Sequence, residues 1–176
     1  MAIFSNDLYH YIGRMKHLLI SGFVLISFLS YSQTTILVVR HAEKETSSSG
    51  DPDLSAEGKA RAATLDRMLR EVSVNHVFST TYKRTRQTVT PLAERLGVEV
   101  RDYNPSAQEA FAAALKKYEG QTILVAGHSN TVPALVNHLI GERKYQDLPE
   151  DEYDNLYIVT ITTTGAKVIC LKYGGE

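Results

Sequence analysis

Two stretches decide the fold: Thr35-Ile36-Leu37-Val38-Val39-Arg40-His41 and Thr122-Ile123-Leu124-Val125-Ala126-Gly127-His128. Each is a continuous apolar run rich in β-branched residues, without polar alternation. That is the pattern of a strand covered on both faces of a mainly parallel sheet. Each run then breaks into polar residues that end in histidine. Open α/β sheets form their ligand sites beyond the carboxyl ends of strands, so the two histidines are candidates for one site.

Outward from these runs, helical and strand periods alternate. A helix is predicted from Ser55 to about Val72, with Ser55 capping it and Ala62, Leu65, Leu69 and Val72 on one face. His76–Thr80 reads as a strand, Tyr82–Leu96 as a helix stopped by Gly97, Val98–Arg101 as a short strand, and Ala107–Tyr118 as a helix stopped by Gly120. Beyond His128, the residues Val132, Leu135, Val136, Leu139 and Ile140 make a helical stripe, with Pro133 tolerated in the first turn. Leu156–Thr163 and Lys167–Tyr173 close the pattern as a hairpin across Thr164-Gly165-Ala166. The alternation predicts an α/β fold, a three-layer αβα sandwich with a mostly parallel central sheet.

The 176 residues are 43% hydrophobic and 22% charged, a globular composition that suits one domain. Nineteen basic residues face twenty acidic ones for a formal charge of −1, leaving no basic excess to neutralise a polyanion, so nucleic acid is not an expected partner. Cys170 is the single cysteine, which excludes an internal disulfide and a cysteine-built zinc site. Near the start, the twelve residues Leu18–Leu29 follow Lys16 and His17 and precede Ser30 and Ser32, as in a signal peptide with a small-x-small cleavage site. As a helix they rise about 18 Å, short of a bilayer core of about 30 Å. Residues 1–32 are therefore read as an N-terminal extension and signal peptide, with Met1 or Met15 as the start, and 33–176 as the domain. An exported protein, periplasmic or secreted, is expected, without a stable membrane span after cleavage. An uncleaved anchor or a buried helix is the alternative.

Arg40-His41, Arg84 and His128 each follow a predicted strand, and packing alone explains poorly a buried strand running into Arg-His. With these residues in view, the chain resembles the histidine phosphatase superfamily, the phosphoglycerate-mutase-like group, over nearly all of residues 35–173. Arg40-His41-Ala42 followed by Glu43 resembles its Arg-His-Gly motif, and Asp53-Leu54-Ser55-Ala56-Glu57-Gly58 its L-(S/T)-x-x-G helix start. Ser79 to Thr88 (STTYKRTRQT) resembles its S-x-x-x-R-(A/T)-x-Q-T segment, and Gly127-His128-Ser129 its second histidine motif.

The resemblance implies a phosphatase working through a covalent phosphohistidine at His41. Arg40 and Arg84 would grip phosphoryl oxygens with paired N–H donors, and His128 would donate a hydrogen bond to the transferring group. Ser129, Asn130 and a helix N-terminus would add to the anion site, and no metal or organic cofactor is called for. The partner would be a phosphorylated small molecule. Ser47 stands where many members carry a phosphate-contacting Asn.

Two departures matter. The carboxylic acid that usually protonates the leaving group has no matching motif, leaving Asp102 and Glu43 as candidates by position. No insertion is long enough for a cap, so a shallow, open site is expected, as in the short phosphohistidine-phosphatase-like members. A phosphoanion-binding domain with little catalysis, or a mutase-like phosphotransferase, are the alternatives. Among the other basic residues, His76 reads as structural and His138 as helix surface, while Lys83, Arg86, Arg61 and Arg67 read as solvated charges.

Overall fold

The computed structural model describes residues 33–46 and 50–174, which lie within the compact unit Ser32–Glu176. The predicted export segment, residues 1–32, and Ser47 lie outside the described residues. No helix among those described is long and apolar enough to cross a membrane.

The elements run β1 (Thr34–Arg40), α1 (Ala56–Met68), β2 (His76–Ser79), α2 (Lys83–Leu96), β3 (Val100–Asp102), α3 (Gln108–Leu115), β4 (Thr122–Gly127), α4 (Thr131–Ile140), β5 (Asn155–Thr162) and β6 (Gly165–Lys172). They form one six-stranded sheet of order β3-β2-β4-β1-β5-β6. The first four strands in that order are mutually parallel, whereas β5 pairs antiparallel with both β1 and β6. The sheet is mostly parallel, as expected.

The unbroken apolar runs arise because both faces of β1 and β4 are covered. Ile36, Val38, Ile123 and Val125 point into one core with Ala112, Leu115, Leu135 and Leu139 of α3 and α4. Leu37, Val39, Leu124 and Ala126 point into the other with Leu65, Val89 and Leu92 of α1 and α2. A side chain such as Leu124, fully enclosed, contributes about 1.5–3 kcal/mol by leaving water.

Several boundaries differ from expectation. Helix α1 stops at Met68 rather than Val72, because the Arg95 guanidinium donates to the Leu69 carbonyl (3.4 Å) and the chain turns so that Leu69 and Val74 both reach the core. Helix α3 ends at Leu115 rather than Tyr118; the amides of Lys117 and Tyr118 reach back three residues, and the Tyr118 ring packs on His76 at 4.7 Å. Strand β3 sits later than predicted, with Asp102 opposite Ser79. The hairpin turns at Thr163-Thr164, and Gly165 opens β6 with a φ of 143° that favours glycine.

Register then places the chemistry. Arg40 is opposite Gly127 across β1 and β4, and Ser79 is opposite Ala126 across β2 and β4. His41, His128 and Thr80 are therefore the first residues beyond three adjacent strand ends, or next to them.

Candidate active site

The His41 amide donates to the Gly127 carbonyl (2.8 Å), continuing the β1–β4 ladder one step past the strand and fixing the backbone that carries the imidazole. The ring is 4% exposed, and its Nδ1 lies 2.8 Å from the Ala42 carbonyl oxygen. A carbonyl only accepts, so Nδ1 carries the proton and Nε2 is left with the lone pair. Burial, opposed by the Ala42 bond and reinforced by the positive charges of Arg84 and Arg40 and by His128, pushes this imidazole down to about 3. His41 is thus a neutral ring at any ordinary pH.

His128 stands beside it, with ring centroids 5.4 Å apart and edge to face. Its Nε2 meets the Thr80 hydroxyl at 3.0 Å, its backbone amide donates to Thr131 Oγ1 (2.9 Å), and burial with Arg84 and Arg40 lowers it to about 4. No side chain larger than that of Gly127 fits just before it. A Cβ there would lie 2.8 Å from the Tyr103 hydroxyl and 2.9 Å from Thr131 Oγ1.

Arg40 is 1% exposed, and the segment preceding β5 holds it. Its Nη1 donates to the carbonyls of Pro149 (2.6 Å) and Glu152 (3.0 Å), its Nη2 reaches the Glu150 carboxylate at 3.4 Å, and its guanidinium lies 4.1 Å from the Tyr153 ring centroid. The Tyr153 ring also approaches His41 at 5.9 Å, so one aromatic side chain abuts both neighbours. Arg84, in the first turn of α2, lies over the Tyr82 ring at 4.4 Å, with Nη1 3.7 Å from Asp51. The Nε atoms of both arginines are buried without a hydrogen-bond partner among the described residues. Two guanidinium groups are thus gathered in one place with donors that the protein does not fully satisfy.

These groups line an open cavity of about 560 Å³ whose wall includes Arg40, His41, Arg84, His128, Ser129 and Glu150. A larger concavity of about 670 Å³ runs along Ile158, Thr160, Val168 and Ile169 of the β5–β6 hairpin. It holds none of the strand-end residues, so the smaller cavity is where chemistry is possible.

The structure thus brings together Arg40, His41, Arg84, His128 and Ser129. It separates the two carboxylates picked from sequence. Glu43 is clamped by the Arg61 guanidinium through three contacts of 2.6–3.0 Å, beneath the start of α1, and Asp102 pairs with Arg86; neither lines the cavity. Arg61 and Arg86 are therefore paired rather than merely solvated, and Lys83 lies 3.9 Å from Asp53. His76 bonds Gln121, and His138 is exposed on α4. Arg67 reaches only Thr64 of its own helix.

Sequence reasoning missed Glu150 and Tyr153, which come from the segment preceding β5. An antiparallel strand beside β1 starts at the edge where β1 ends, so the hairpin's direction was the available signal. It also missed two braces. Thr88 Oγ1 accepts from the Ala42 amide (2.9 Å), and Gln87 bonds both Leu54 N and Asp53.

Residues 36–105 match the family model described as Histidine phosphatase superfamily (branch 1). The match spans less than half of the chain, which over that stretch is similar to the superfamily. The match contains Arg40, His41 and Arg84; His128 lies beyond it and is joined to them by the β1–β4 register. No curated protein gives a significant match. Among solved structures, the alpha-ribazole phosphatase from Shigella flexneri is 17% identical over 81% of this chain and 99% of its own, with a TM-score of 0.64. The protein histidine phosphatase SixA, solved with tungstate, is 17% identical over 78% and 96%, with a TM-score of 0.63. A mycobacterial glucosyl-3-phosphoglycerate phosphatase is 12% identical over 82% and 100%, with a TM-score of 0.60. These likenesses show the fold, a mixed α/β architecture of the phosphoglycerate-mutase-like kind.

Proposed function

We propose that the domain is a phosphatase that hydrolyses small phosphorylated molecules through a covalent phosphohistidine at His41. The observation that carries this is the His41 tautomer: Nδ1 is committed to the Ala42 carbonyl, leaving Nε2 as a neutral nucleophile among Arg40, Arg84 and His128. A phosphoryl group bound by the two guanidinium groups would sit against that lone pair. In the first step Nε2 bonds to phosphorus as the bond to the leaving oxygen breaks. The guanidinium donors match charge spreading over the equatorial oxygens.

His128 supplies a further hydrogen bond. Burial, and after it the positive charges of Arg84 and Arg40, hold this ring neutral, and bound phosphate offsets the second of these. Water then attacks the phosphohistidine, the P–N bond breaks, and inorganic phosphate leaves. Nothing in this scheme requires a metal or an organic cofactor. The apolar run Leu18–Leu29 supports action outside the cytoplasm, on substrates met there.

The test is phosphate release by residues 33–176 from aryl, alkyl, anhydride and acyl phosphates, with a chelator present and His41→Ala alongside. Chelator-resistant turnover that is lost in His41→Ala supports the proposal. Tungstate binding without turnover on any substrate would instead make the domain a phosphoanion binder.

A further inference from the structure

We propose that Glu150 is the general acid and base of this site, the role for which the sequence offers Asp102 and Glu43. This assignment rests on the phosphatase function proposed above. Among the described residues that line the cavity, Glu150 is the one carboxylate. Its side chain is 86% exposed, yet its backbone is held at fixed points. On one side the Leu148 amide donates to the Ser129 carbonyl (3.0 Å), tying the segment to the turn that carries His128. On the other, Arg40 grips the carbonyls of Pro149 and Glu152, and the Glu152 side chain is bound by Asn155 (2.7 Å) and Lys172. The carboxylate is presented from an anchored turn into open cavity.

Its distance from Arg40 Nη2, 3.4 Å, sets the chemistry. A phosphoryl oxygen bound by Arg40 lies within reach of Glu150, so the carboxyl stands where an acid for the leaving oxygen is needed. As His41 Nε2 bonds to phosphorus, the P–O bond to the leaving group breaks and the Glu150 proton passes to that oxygen. In the second half-reaction the Glu150 carboxylate takes a proton from the attacking water, the new P–O bond forms, and the P–N bond to His41 breaks. Both partners return to their starting states.

Proton donation matters most when the departing alkoxide is poor, and general acid catalysis typically contributes about 10²–10⁴-fold. The experiment compares kcat/KM of wild type, Glu150→Gln, Asp151→Asn and His41→Ala on p-nitrophenyl phosphate and on glycerol phosphate. Glu150→Gln is expected to lose about 100-fold or more on the alkyl ester and less than about 10-fold on the aryl ester, with Asp151→Asn close to wild type on both. Equal losses on the two esters with a raised KM would overturn the role, making Glu150 only a support for Arg40. A gain on both would overturn it too, making Glu150 an anion that competes with phosphate. Wild-type turnover of the aryl ester alone would leave the phosphatase function standing without an acid. A wild type inert on both, yet binding tungstate, would overturn that function and this role with it.

Discussion

The imidazoles of buried His41 and half-buried His128 meet edge to face with centroids 5.4 Å apart at 66°, in a cavity that Arg40 and Arg84 also line. Two basic rings this close tolerate each other because neither is charged. Burial above all, with the cationic surroundings adding to it, keeps His41 deprotonated.

This neutrality makes stability depend on pH. Both histidines are held below their ordinary value in the folded chain, to about 3 and about 4, so the unfolded chain binds more protons between those values and the ordinary 6.5. Stability from these groups is complete above that window and falls as pH drops through it. We expect the Tm of wild type to decline from about pH 6.5 towards 4, and His128→Gln to decline less steeply. Thermal melts across pH check this, and parallel curves for the two proteins would contradict it.

Arg84→Ala removes one of the two anion grips while its backbone carbonyl can still accept from Thr88. A hydrogen bond to a charged group contributes about 1.5–3 kcal/mol, so tungstate or phosphate should bind about 10–100-fold more weakly, with little change in Tm. Calorimetric titration reads this directly. Arg40→Ala should behave differently and lower Tm as well, because Arg40 also anchors the 149–152 segment through two carbonyls and lies over Tyr153.

Thr88→Val keeps the shape of α2 but deprives the buried Ala42 amide of its acceptor. An unpaired buried N–H costs about 1–3 kcal/mol. We expect a fall in Tm of several degrees together with reduced kcat, since Ala42 also holds His41 Nδ1. A stability loss with kcat intact would show that the brace does not orient the nucleophile.

Gly58→Ala places a methyl 2.1 Å from the Glu43 carbonyl oxygen, a backbone atom that cannot swing aside. Overpacking of this kind costs about 1–3 kcal/mol, which for a domain of this size is a Tm shift of roughly 2–12 °C. Chemical denaturation is the measurement. If Glu43 serves only to pair Arg61, Glu43→Gln should likewise lower stability and leave the preference between aryl and alkyl esters unchanged.

The apolar runs at 35–39 and 122–126, the helical stripe from Val132 to Ile140 and the stop at Gly97 determined the strands, helices and layers without reference to anything distant. These signals are local, because burial on two faces or on one leaves a period in the chain itself. Strand ends followed by Arg40-His41, Arg84 and His128 likewise pointed to one site, since parallel strands deliver their carboxyl ends to one edge. Which carboxylate faces that site was not local. Glu43 follows His41 by two positions, yet Arg61 draws it under α1. Asp102 follows β3, yet Arg86 draws it aside. Glu150 is 109 residues from His41 in sequence and reaches the cavity only because β5 runs antiparallel to β1 and the carbonyls around it hold Arg40. Side-chain pairing and strand direction are set by the whole packed sheet, so the acid's place was decided by the tertiary structure.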